Sequence, residues 1–134
     1  MGKVTDYLEK YYKDTNYNCA EAVFCAAMEA WGVDMPKETV KAMAGFGGGM
    51  GCGSVCGAVT GGIAALSCKF VEGDGGHTSP LLMQKARTYI RLVRQTYGSE
   101  ECKHLKPQFF SQEERCFQTI SRIAAVLDQV YEME

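Results

Sequence analysis

The chain has 134 residues, 46% hydrophobic and 22% charged, with a formal net charge of −2. That balance fits one soluble globular domain over residues 1–134 and gives no reason to expect nucleic acid or an anionic membrane as partner. The start Met-Gly-Lys-Val lacks the apolar stretch of a signal peptide, and no run approaches the ~18 apolar residues of a membrane span, so a cytoplasmic protein without direct membrane insertion is expected.

Residues 3–13 set Val4, Leu8, Tyr11 and Tyr12 at helical spacing and predict a short amphipathic helix. Asn16-Tyr17-Asn18 interrupts it, and Asn18 with Glu21 three positions later reads as a capping box for a helix over 19–31, stopped by Gly32. Pro36 opens a further helix that carries Val40, Met43 and Ala44 into the Gly-rich stretch 46–62. Within that stretch Ser54 reads as an N-cap for a helix from Val55 to about Phe70, with Val59, Ile63 and Leu66 on one side. Gly57 and Gly61 lie four apart and would let a second helix approach closely; the alternative is a helix that begins after Gly62 and leaves Cys56 in a loop.

Residues 71–79 read as a polar, mobile connection. Pro80 to Tyr97 forms a long helix with Leu82, Ala86, Ile90, Val93 and Tyr97 as its buried stripe, ended by Gly98. Ser99 to Cys102 begins a short helical turn that ends by Pro107. Ser111-Gln-Glu-Glu114 is a second capping box, for a helix to the C-terminus with Cys116, Ile120, Ile123, Leu127 and Val130 on its apolar stripe. No segment alternates with period two. The expectation is an all-α fold, a compact bundle of about five helices with the Gly-rich loop leading into a central helix.

Seven cysteines cannot all pair within one monomer, and in a reducing compartment such residues serve catalysis, redox sensing or metal binding more often than permanent cross-links. Cys19 and Cys56 fall at predicted helix starts, where free N–H groups and the positive end of the dipole favour a thiolate. Cys116 sits on a core stripe, and Cys102 could meet it if the short turn folds back on the last helix. Cys25, six residues after Cys19, faces another side of its helix and reads, with Cys68, as a packing residue. Cys52 precedes Cys56 by four positions, outside a CxxC spacing, and is a candidate extra ligand or resolving thiol. His77 and His104 are the only imidazoles, and no Walker A, βαβ dinucleotide fingerprint or Ser-His-Asp set is present.

Cys56-Gly57-Ala58-Val59-Thr60-Gly61, read as CGAxxG, together with single cysteines at Cys19, Cys102 and Cys116, resembles the C_GCAxxG_C_C family, described as redox-active. The resemblance implies a small helical protein with Cys19, Cys56, Cys102 and Cys116 as its functional set and a loosely defined redox role. Its members are often associated with transporter loci, which implies a redox partner in a membrane transporter system. The first reading is thiol–disulfide chemistry, with Cys56 as reactive thiol, Cys19 as resolving thiol, and Cys102 and Cys116 as a second pair or a lock. The second places zinc or an iron–sulfur cluster on the same four sulfurs, although none of the four has the C-x₂₋₄-C spacing common for zinc. The third is a non-catalytic accessory domain. Which cysteines pair stays open.

Overall fold

The computed structural model describes residues 2–133. Seven α-helices are present among them: α1 (Val4–Lys13), α2 (Cys19–Ala30), α3 (Lys37–Lys41), α4 (Gly57–Phe70), α5 (Pro80–Tyr97), α6 (Cys102–Phe109) and α7 (Phe117–Glu132). The count exceeds the expected five because α3 and α6 are short pieces, of five and eight residues, that position loops. No strand occurs among the described residues, only two isolated antiparallel bridges, Val55–Glu101 and Ser111–Arg115. The expected 1–134 domain and the helix to the C-terminus reach residues 1 and 134, which lie outside the described residues.

α2 packs between α1 and α4, and α7 lies against α1, α4 and α5. The core is made where these faces meet, by Leu8, Phe24, Leu66, Tyr89, Ile120 and Leu127, all with no exposed surface. The capping box that opens α2 forms as its sequence predicts. Asn18 Oδ1 accepts the amides of Ala20 and Glu21, each at 3.1 Å, and Glu21 Oε1 accepts the Asn18 amide at 2.9 Å. Gly32, at φ +70°, ends the helix, and Gly98, at φ +85°, ends α5.

The central contact is the crossing of α2 and α4. A Cβ on Gly61 would overlap the Ala20 carbonyl oxygen and approach its Cα at 3.0 Å, and one on Gly57 would stand 3.0 Å from the Ala20 amide. Only residues without a Cβ let the two backbones approach this closely, which offsets the helix-propensity cost of glycine inside α4. The helix begins at Gly57, with Cys56 rather than Ser54 in the N-cap position. The Ser54 carbonyl is instead turned toward α6.

Two further expectations change on folding. The buried face of α5 is Leu82, Lys85, Tyr89 and Val93, with Ala86 and Ile90 only half-buried. Two polar groups define that face. Lys85 Nζ donates to the carbonyls of Val130 (2.9 Å), Tyr131 (3.2 Å) and Met133 (2.6 Å), closing the end of α7, and the Tyr89 hydroxyl donates to Ala58 O at 3.0 Å. At the other end of α7, Ser111 Oγ does accept the Glu114 amide, at 3.0 Å. The helix nevertheless begins only at Phe117, because Ser111 and Arg115 close a turn on each other and Arg115 takes a left-handed φ of 55°. The Glu114 carboxylate, free of a capping role, pairs with Lys13 at 3.2 Å. α6 continues through Pro107 to Phe109, since a proline in so short a helix removes one hydrogen bond.

The crossing yields a prediction in which two effects oppose. Gly61→Ala should gain about 1 kcal/mol of helix propensity but lose more, about 1–3 kcal/mol, to overpacking against the α2 backbone. Urea unfolding should therefore show net destabilisation. Gly45→Ala, where a Cβ meets nothing within 4 Å, should stay within about 0.5 kcal/mol of the parent. A stabilised Gly61→Ala protein would show that the two helices can separate.

Candidate functional site

Cys19, Cys56, Cys102 and Cys116 line one small cavity, together with Gly48, Gly57, Leu105, Lys106 and Thr119. The volume is about 40 Å³. All four cysteines stand at helix starts: Cys19 and Cys102 are the first residues of α2 and α6, and Cys56 and Cys116 are the residues just before α4 and α7. Cys116 is thus not on the apolar stripe of α7, which is made by Ile120, Ile123, Leu127 and Val130, but at the head of the helix and half-buried.

Each position is fixed through the backbone. The α2–α4 crossing seats Cys19 beside Cys56, since a Cβ on Gly57 would lie 3.1 Å from the Cys19 Cβ. Cys56 and Cys102 are joined by a two-bond bridge, in which the Cys56 amide donates to Glu100 O at 2.9 Å and the Cys102 amide donates to Ser54 O at 2.7 Å. The Cys116 amide donates to the hydroxyl of Tyr12, on α1, at 3.2 Å. The glycine turn that precedes Ser54 closes by the Ser54 amide donating to Gly49 O at 3.0 Å. Gly49, at φ +64°, has no room for a Cβ against the Ser54 backbone. Asn18 holds this loop to α2, its Nδ2 donating to Ala44 O at 2.7 Å.

All seven cysteines are free thiols. Within the cavity their ionisation diverges. Cys19 and Cys116 share the cavity, and the interaction between a thiol on Cys19 and a thiolate on Cys116 favours the charge on Cys116. Together with the cations of Lys106 and Arg115 and the Tyr12 hydroxyl, it lowers the Cys116 thiol to about 6, against the opposing effect of burial. Cys19 is driven well above the ordinary thiol range by that same interaction with Cys116, by burial and by the neighbouring sulfurs. Burial pushes Cys56 up to about 11, which the amides of Ala58 and Val59 offset only in part. Cys102 is also raised, by burial and by Cys116, while Lys106 pulls it down. The helix start therefore does not by itself make a thiolate: Cys19 and Cys56 have the position and are held protonated.

The remaining candidates lie elsewhere. Cys52 is exposed on the glycine turn, its sulfur 3.4 Å from Gly49 O, and does not line the cavity. Cys25 and Cys68 are half-buried at the core margin. His77 is exposed, and His104 Nδ1 pairs with Ser99 Oγ at 2.9 Å. Among the described residues, no group of three or more His, Cys, Asp and Glu side chains is arranged to hold a metal ion. Among the described residues no helix is long and apolar enough to cross a membrane. Tyr12, Lys106, Arg115 and Thr119 carry the electrostatics and lining of the site without having drawn attention in the sequence. Tyr12 reads there as a core residue of α1, and the others have no motif to mark them.

No curated protein and no solved structure matches the chain. A family model does, over residues 17–130, and its description is "Putative redox-active protein (C_GCAxxG_C_C)". That match covers most of the chain and all four cavity cysteines: the chain belongs to the C_GCAxxG_C_C family.

Proposed function

We propose that the protein is a two-electron thiol–disulfide couple in which Cys116 is the nucleophile and Cys19 the resolving thiol. The observation that carries this reading is that Cys19 and Cys116 line one small cavity at the starts of α2 and α7, where a thiol on the first stabilises an anion on the second. The anion attacks one atom of an oxidised acceptor and forms a bond from Cys116 Sγ to it, as the acceptor's own bond breaks and its other half leaves with the electron pair and takes up a proton. Cys19 then gives up its proton and attacks Cys116 Sγ, releasing the reduced acceptor and leaving a Cys19–Cys116 disulfide. Cys56, first in expectation as the reactive thiol, is the less nucleophilic partner because burial keeps it protonated. Cys56 and Cys102, joined by their backbone bridge, form the second pair.

A zinc ion or an iron–sulfur cluster needs several sulfurs directed at one point. Among the described residues no three such side chains are so arranged, which supports the redox couple over a preformed four-sulfur metal site.

The couple is tested by counting thiols. Prolonged treatment of the reduced protein with excess diamide should lower the number titratable in denaturant from seven, and peptide mapping should find Cys19 joined to Cys116. Seven thiols remaining after oxidation would refute it. The proton distribution has its own signature. A thiol lowered to about 6 is protonated below that pH and anionic above it. Alkylation of Cys116 by iodoacetamide should therefore rise with pH to a plateau, with its midpoint near 6. Cys19→Ala, which removes the neighbouring thiol, should move the midpoint upward by at least one pH unit, on the order of the loss of a charge-assisted hydrogen bond. A parent midpoint in the ordinary thiol range would assign the anion elsewhere.

A further inference from the structure

Thr119 is 4% exposed, and its hydroxyl, fully buried, has no hydrogen-bond partner among the described residues. Hydroxyls inside helices usually turn back on a carbonyl of the preceding turn. Thr60 does so to Gly57 O at 3.2 Å, Ser67 to Ile63 O at 2.8 Å and Thr88 to Gln84 O at 2.9 Å. Thr119 does not, and it lines the cysteine cavity in the first turn of α7, three residues after Cys116. A buried polar atom left without a partner beside a nucleophile calls for a ligand that supplies one.

The cavity limits what that ligand is. Its volume of about 40 Å³ exceeds the roughly 10–15 Å³ needed for one water by a factor that admits two or three small atoms. Drug-sized ligands and peptide thiols need pockets of about 300 Å³ or more. We infer that the oxidant consumed at this site is hydrogen peroxide, held by Thr119 Oγ1 beside Cys116 Sγ. This rests on the Cys19–Cys116 couple and names its substrate.

The chemistry balances within the cavity. The Cys116 thiolate attacks one peroxide oxygen. An S–O bond forms, the O–O bond breaks, and sulfur loses two electrons to the leaving oxygen. That oxygen departs as hydroxide and takes the Cys19 proton, giving water and a Cys19 thiolate. Cys19 then attacks Cys116 Sγ, the S–S bond forms, and the sulfenic oxygen leaves as a second hydroxide that solvent protonates. One peroxide and two reduced sulfurs yield one disulfide, one water and one hydroxide. Thr119, a donor and an acceptor at once, can hold a peroxide O–H and then donate to the leaving oxygen. The start of α7 and the exposed Lys106 at the cavity favour the negative charge that develops there.

The test compares three oxidants on the reduced full-length protein at pH 7, with Cys116 followed by quenched alkylation and mass spectrometry. Hydrogen peroxide should oxidise Cys116 at least 100-fold faster than it oxidises the thiolate of free cysteine. The ratio of its rate constant to that of tert-butyl hydroperoxide, too bulky for the cavity, should exceed the free-thiolate ratio at least tenfold. Thr119→Val should lower that ratio at least fivefold, and Thr119→Ser should restore it. The parent-protein comparison needs no variant to fold. A peroxide rate no greater than that of free cysteine thiolate, or a ratio indifferent to Thr119→Val, overturns the assignment. If prolonged treatment with excess diamide still forms the Cys19–Cys116 disulfide in that case, only the substrate is wrong; if it does not, the couple itself falls.

Discussion

The crossing of α2 and α4 at Ala20 is the constraint on which the site depends. Gly57 and Gly61 present bare backbone to the first turn of α2, so the two helices meet at a separation that a Cβ on Gly61 would prevent and one on Gly57 would crowd. Cys19 precedes Ala20 and Cys56 precedes Gly57, so the crossing delivers both sulfurs to one place without any attraction between them. The other two are brought in by main-chain hydrogen bonds, Cys102 through Ser54 and Glu100, Cys116 through the Tyr12 hydroxyl. None of these restraints uses a sulfur atom. The scaffold is therefore independent of the oxidation state of the groups it holds, which a site that cycles between dithiol and disulfide requires. The arginine of the turn before α7 adds a link, since the Arg115 guanidinium lies 4.7 Å from the centre of the Tyr12 ring.

Much of this was legible from local rules. The Asn18 and Glu21 capping box, the glycine stops at Gly32 and Gly98, and the small-residue face of α4 all act within one turn of chain, where the physics is carried by the residues themselves. Periodicity gave the α7 stripe from Ile120 to Val130 but extended it to Cys116, ahead of the helix, and rotated the one on α5. Lys85 and Tyr89 are polar by composition yet buried, because their polar atoms find carbonyls on α7 and α4. Such partners are distant in sequence and leave no periodic trace. The start of α7 failed for the same reason: Ser111 offered a cap, and a left-handed Arg115 closed the turn before a helix could follow. The convergence of the four cysteines was legible only through the family pattern. The bridge at Val55 and Glu101 that aligns two of the helix starts joins segments with no strand character.

The least legible feature was which sulfur carries the charge. Reasoning from helix starts favours Cys19 and Cys56, and a helix terminus is worth about 0.3–1 kcal/mol to a nearby charge. Removing a charge from water costs several kcal/mol, so in a buried site the dipole loses to desolvation unless cations and donors are added. Cys116 is the cavity cysteine around which they gather: the Cys19 thiol, the Tyr12 hydroxyl, Lys106 and Arg115. Its three neighbours pay for that choice. Two unit charges about 4 Å apart interact by about 4 kcal/mol at an effective dielectric near 20, equivalent to about three pK units. One thiolate therefore raises the cost of a second on any sulfur sharing the cavity, as Cys19, Cys56 and Cys102 each register. A single negative charge shared among the four sulfurs is therefore favoured at Cys116, by the side chains around it rather than by the motif that contains Cys56.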